Sequence, residues 1–191
     1  MSPGRMDLAG VVLVGGRSTR MGRSKARLKV DGVELWRRQL DVLARAGART
    51  AVLALRPRQR RFGWRGGEIR DAAAAGPLGG IAAALASTPA PFLAVLAVDM
   101  PHVDAALFRR LRRECRPGIG AVIRGPRGYE PLAAIYPREA AALCHAQVRG
   151  GRFSLQTLLA ALVRRGRMAE LPLRAGDRER LENWNTRRDV G

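Results

Sequence analysis

The apolar positions of the chain follow two periods. Residues 8–14 (LAGVVLV), 50–55 (TAVLAL) and 92–98 (FLAVLAV) are short runs that are apolar at nearly every position. Such runs predict strands buried on both faces of a parallel sheet. Between the first two, Trp36, Leu40 and Leu43 recur at helical spacing, which predicts a helix over residues 36–46. Residues 56–67 read as a loop, followed by a short strand near Ile69, Asp71, the turn GPLGG and a helix over 81–87. Asp104 is placed to cap the helix after the third run. Short strands are predicted at 121–124 and 132–136, helices at 138–148 and 154–163, and a last strand at 168–173.

Strands that alternate with helices predict an α/β fold of three layers, α/β/α, around a mostly parallel central sheet. The 191 residues, with no internal repeat or linker, are expected to form a single domain over 1–191. In such sheets ligands bind beyond the carboxyl ends of the strands. That rule places the turn after Val14, Asp71 and Asp99 around one crevice.

The turn is unusual in composition. Residues 11–25 read VVLVGGRSTRMGRSK, so a buried strand runs into glycines, arginines and a lysine. Glycines there let the backbone approach a ligand, and successive N–H groups can cradle phosphate oxygens. The spacing fits neither GxxxxGK[ST] nor GxGxxG. A carboxylate such as Asp99 at the end of an apolar strand is costly to desolvate unless a cation or hydrogen bonds compensate it. It reads either as a ligand for a hard cation or as a turn residue before Pro101.

Charge changes this picture less than its size suggests. The net charge is +19, which favours polyanionic partners. The only lysines are Lys25 and Lys29, so 33 of the 35 basic residues are arginines, scattered along the chain. With aromatic residues at 5%, few side chains are available for base stacking, and nucleic-acid binding is not expected. Cys115 and Cys144 have no metal-ligand spacing and read as buried thiols. The uncharged residues 72–98 are broken by six glycines and prolines, and the opening residues lack a secretory core; a cytoplasmic enzyme without membrane contact is expected.

Residues 13–25, LVGGRSTRMGRSK, resemble the LAGGxSxRMGxxK signature of nucleotidyltransferases that act on small phosphorylated substrates. The ordered segments DAAAAGPLGGI, LAVDMPHV, GYEPLAAIY and NWNT resemble the molybdenum cofactor guanylyltransferase family in particular. That resemblance implies a Rossmann-like nucleotidyltransferase fold and transfer of GMP from GTP to the phosphate of molybdopterin, with release of pyrophosphate and Mg²⁺ as cofactor. It implies that Leu13, Val14, Gly15, Gly16, Lys25, Asp71, Gly76, Pro77, Leu78, Gly79 and Asp99 bind the nucleotide. Lys25, Arg20 and Asp99 would serve catalysis, with Asp99 on the metal, and Glu130, Pro131, Asn183 and Asn185 would bind the acceptor. Nucleotide binding would fall to about residues 7–115 and acceptor binding to about 116–191, with transient contacts to proteins that mature molybdoenzymes.

Several of these positions keep a second reading: Asp71 could contact nucleotide, assist the metal or start a turn, and NWNT could be only a helix cap. The family tends to carry asparagines at the end of the second strand, where this chain has Leu53, Ala54, Leu55 and Arg56. That departure leaves open a cytidylyltransferase for the same cofactor or a sugar- or alditol-phosphate nucleotidyltransferase. Outside enzyme chemistry, the same residues would suit a protein that binds GTP without transfer, and the charge alone would suit a basic protein that binds nucleic acid.

Overall fold

The structure is a computed structural model that describes residues 7–15, 25–71 and 73–184. In chain order its elements are β1 (Leu8–Leu13), a single 3-10 turn (Lys25–Arg27), β2 (Lys29–Val30), β3 (Val33–Glu34), α1 (Leu35–Arg45), β4 (Thr50–Leu55), β5 (Glu68–Arg70), α2 (Pro77–Ser87) and β6 (Phe92–Ala97). There follow α3 (Ala105–Glu114), β7 (Gly120–Gly125), β8 (Gly128–Tyr129), β9 (Ala133–Pro137), α4 (Ala140–Arg149), α5 (Leu155–Arg164), β10 (Met168–Pro172) and α6 (Asp177–Arg180).

One sheet runs in the order β10-β7-β9-β6-β1-β4-β5, with β8 paired to β7. β1 is parallel to both β4 and β6, whereas β9 is antiparallel to β6 and β7. The predicted mostly parallel α/β sheet is therefore present, with one reversed strand near its middle. The three apolar runs are its central strands, and the period of two divides their side chains between the sheet's faces. Leu8, Val12 and Val14 pack with α1 and α3, while Ala9, Val11 and Leu13 pack with α2, α4 and α5. On the first face α1 comes so close that a Cβ on Gly10 would lie 2.9 Å from Leu43 Cδ1.

Three details differ from the sequence pattern. A hairpin over 29–34 was not predicted; Asp31 (φ 52°) and Gly32 (φ 78°) supply the two left-handed residues that a tight hairpin turn requires. α2 begins at Pro77, four residues earlier than expected, because proline fits the first turn of a helix and Gly76, at φ 64°, turns the chain into it. The loop over 56–67 is anchored to α1: Phe62 and Trp64 lie with ring centroids 5.7 and 6.2 Å from that of Trp36. Among the described residues no helix is long and apolar enough to cross a membrane.

Candidate active site

The carboxyl ends of β1, β4 and β6 open into a cavity of about 900 Å³. Leu13, Val14 and Gly15 form one wall, extending the ladder through Val14 N–H to the Ala54 carbonyl at 3.1 Å and Val98 N–H to the Leu13 carbonyl at 3.1 Å. Lys25, Asp71, Gly76, Pro77 and Asp99 also line the cavity, so the strand-end rule brings most of the expected nucleotide positions together. Gly16, Arg20 and Asn185 lie outside the described residues.

Asp71 is buried just after β5, and its Oδ1 accepts from Ala73 N–H at 3.1 Å. Burial pushes its carboxyl above the ordinary carboxylate range, and the N–H groups of Ala73, Ala75, Gly76 and Ala74 pull it partly back. The carboxylate thus gathers the turn that starts α2. Gly79 sits directly beneath it, where any Cβ would overlap the Asp71 carboxylate. Leu78 is fully buried in the apolar cluster of α2, and neither it nor Gly79 is a cavity-lining residue. Both support the turn from behind.

Asp99 follows β6 with its side chain 26% exposed, and its Oδ2 lies 3.7 Å from Lys25 Nζ. The turn that holds it is braced by buried Gln39 of α1, whose Nε2 donates to the Met100 carbonyl at 2.7 Å. Lys25 Nζ also donates to the Trp184 carbonyl, and Trp184 N–H donates to the Asp99 carbonyl at 2.8 Å. A cation and a carboxylate therefore share one rim of the cavity, held there by three distant parts of the chain. Among the described residues no three His, Cys, Asp or Glu side chains cluster as a metal cage. The Asp99 carboxylate at the rim of an open cavity nevertheless suits Mg²⁺, which takes one or two protein carboxylates and draws its other ligands from substrate phosphates and water.

Glu130 and Pro131 link β8 to β9 and are not among the residues that line the cavity. Burial raises the carboxyl of half-buried Glu130, with Arg127 acting against it. Gln156 pins this segment by accepting from Tyr129 N–H at 2.9 Å and donating to its carbonyl at 2.8 Å. Leu132, the next residue, reaches the cavity, as does Phe153, a residue 49% exposed. Asn183 is exposed beside Trp184. Cys115 and Cys144 are buried, and burial pushes each thiol up to about 12, which makes them poor nucleophiles at neutral pH.

Periodicity did not point to Gln59, whose Nε2 donates to the Val14 carbonyl at 2.9 Å while its Oε1 accepts from Arg56 N–H at 3.1 Å. This side chain ties the loop after β4 to the mouth of β1. Gln39 did leave a signal: it is a polar residue on the helix stripe of Trp36, Leu40 and Leu43, and a buried amide needs a partner.

A mostly parallel sheet whose strand ends open on one cavity bearing a lysine and two carboxylates is the architecture of an α/β nucleotidyltransferase, and known proteins agree. Residues 10–167 match the family described as MobA-like NTP transferase domain, and the chain belongs to that family. It is 47% identical over 193 residues to a protein of Opitutus terrae named probable molybdenum cofactor guanylyltransferase, covering 99% of this chain and 96% of that one. A protein of Synechococcus elongatus with the same name is 30% identical, covering 96% of each chain. Among solved structures, molybdopterin-guanine dinucleotide biosynthesis protein A of Archaeoglobus fulgidus superposes with a TM-score of 0.75 at 22% identity, over 95% of this chain and 94% of that one. The 2-C-methyl-D-erythritol 4-phosphate cytidylyltransferase of Thermus thermophilus does so with 0.70 at 18%, over 97% and 96%. These two likenesses establish the shared fold.

Proposed function

We propose that the chain transfers GMP from GTP to the phosphate of molybdopterin, or of the molybdenum cofactor built on it, releasing pyrophosphate. The observation that carries this reading is the 47% identity to the Opitutus terrae relative over nearly the whole of both chains. The acceptor phosphate is already nucleophilic, so the reaction requires no Ser–His or Cys–His pair. An oxygen of that phosphate bonds to the α-phosphorus of GTP as the bond to the bridging oxygen of the β-phosphate breaks. What the protein must supply is in-line positioning of two anions that repel one another, and neutralisation of the charge on the departing pyrophosphate.

The residues around the cavity divide that task. The backbone at Leu13, Val14 and Gly15 lies against the nucleotide, and Lys25 neutralises phosphate oxygens as a compact point charge. Asp71 holds the turn at Gly76 and Pro77 against the base and ribose. Asp99 holds Mg²⁺, which when bound would supply Lewis-acid polarisation of the phosphoryl oxygens. Residues 7–115 are assigned to the nucleotide and 116–191 to the acceptor, with Glu130, Pro131 and Asn183 toward the pterin; Arg20 and Gly16 would assist at the phosphates and Asn185 at the pterin.

The end of β4, where the resemblance implies asparagines, carries Leu53, Ala54, Leu55 and Arg56 instead, and the last three line the cavity, so the choice of base is tested separately. Purified protein incubated with molybdopterin, Mg²⁺ and each nucleoside triphosphate in turn should form a dinucleotide with GTP. Turnover with CTP and none with GTP would replace the guanylyl assignment by a cytidylyl one.

A further inference from the structure

Trp184 is joined to the cavity rim at three points that involve different parts of the residue. Its N–H donates to the Asp99 carbonyl at 2.8 Å, and its carbonyl accepts from Lys25 Nζ. Its indole Nε1–H donates to His102 Nε2 at 3.3 Å, and the two rings meet edge to face at 75° with centroids 5.6 Å apart. Residues 181–184 belong to no helix or strand, and holding such a segment in one place costs conformational entropy that contacts such as these offset. His102 is exposed and lies three residues beyond Asp99, on the same turn. An edge-to-face aromatic pair contributes beyond its buried area and fixes orientation.

We propose that Trp184 is a positioning residue: by latching onto His102 it docks residues 181–184 on the Asp99 turn and so holds Asn183 at the rim where the acceptor binds. The proposal rests on the guanylyltransferase reading for the identity of that acceptor, a phosphate-bearing molecule with a planar, polar heterocycle. A neighbouring amide can both donate to and accept from the edge of such a ring. Because the backbone of the same residue contacts both Asp99 and Lys25, the latch sets the acceptor segment relative to the groups assigned to metal and phosphate. Its loss is felt first as weaker acceptor binding.

The test has two readouts. In steady-state assays Trp184→Ala and His102→Ala should each raise KM for molybdopterin about tenfold and change KM for GTP less than about twofold, with the double variant no worse than Trp184→Ala alone. Trp184→Phe, which keeps a ring against His102, should recover part of the loss. Unchanged molybdopterin KM in both single variants, or independent and multiplying effects, overturns the positioning role. Amide hydrogen exchange of the ligand-free protein tests the latch without any reaction: His102→Ala, at an exposed position that folding tolerates, should speed exchange at Trp184 N–H and leave the central strands protected. Unaltered exchange overturns the latch. A wild-type protein that makes no product from molybdopterin and GTP would instead overturn the functional reading, while the exchange result still decides the latch.

Discussion

Lys25 and Asp99 stand 3.7 Å apart with side chains 14% and 26% exposed. At 3.7 Å the pair makes no close hydrogen bond, and it contributes on the order of 1 kcal/mol to folding. Their placement is better explained by what enters the cavity between them. Lys25→Ala and Asp99→Asn should therefore lower kcat by roughly a hundredfold or more, in the range that follows loss of one preorganised charge-stabilising group. Thermal midpoints should stay within about 4 °C of wild type, since for a chain of this size that shift corresponds to about 1 kcal/mol. Calorimetry beside the rate assay checks both halves, and near-normal rates in the two variants would refute the assigned roles. Arg110 and Asp177 present the opposite case. Their pair is bidentate, at 3.0 and 2.7 Å, and closes over an Asp177 side chain only 2% exposed, so its loss would leave a buried charge unpaired.

That pair ties α3 to the first turn of α6, the element directly before the docked residues 181–184. Burial raises the Asp177 carboxyl, but its bonds from Arg110 and the Arg174 N–H outweigh burial and leave it below the ordinary carboxylate range. Because the folded value is depressed, the stabilisation is present at neutral pH and disappears as pH falls through that lowered value. Asp177→Asn should cost roughly 3 kcal/mol at pH 7 in chemical denaturation, with the gap to wild type narrowing below about pH 4. A gap independent of pH would contradict the assignment.

At this same scale the sequence was informative where burial imposes a period. The runs over 8–14, 50–55 and 92–98 became β1, β4 and β6 because strands covered on both faces tolerate little but apolar side chains. The hairpin of β2 and β3 was missed because its two-residue strands are too short to show any alternation, although the Asp31-Gly32 pair is a turn signal in itself. The reversed direction of β9 has no signature in periodicity, because parallel and antiparallel strands buried on both faces read alike. The strand-end rule located Gly15, Asp71 and Asp99. The braces around the cavity are Gln59 on Val14, Gln39 on Met100 and Trp184 on Lys25, bonds that span 45, 61 and 159 residues. Contacts that distant depend on how the elements stack, which no local pattern encodes.

Across the whole molecule, β9 inserts antiparallel between β6 and β7 and joins the half of the sheet that carries β1, β4 and β6 to the segments that bring Leu132 and Phe153 to the cavity. One cavity is thereby walled from both directions, as a reaction between two bound anions requires. The net charge of +19 suits such polyanionic substrates. The central claim is that the triphosphate lies against residues 13–15 and Lys25, with its metal ion on Asp99. A crystal structure with GTP and Mg²⁺ tests it most directly. The account predicts phosphate oxygens within hydrogen-bond reach of the Gly15 backbone and Lys25 Nζ, and a metal ion held by the Asp99 carboxylate. A nucleotide bound outside this cavity, or a metal ion with no bond to Asp99, would contradict it.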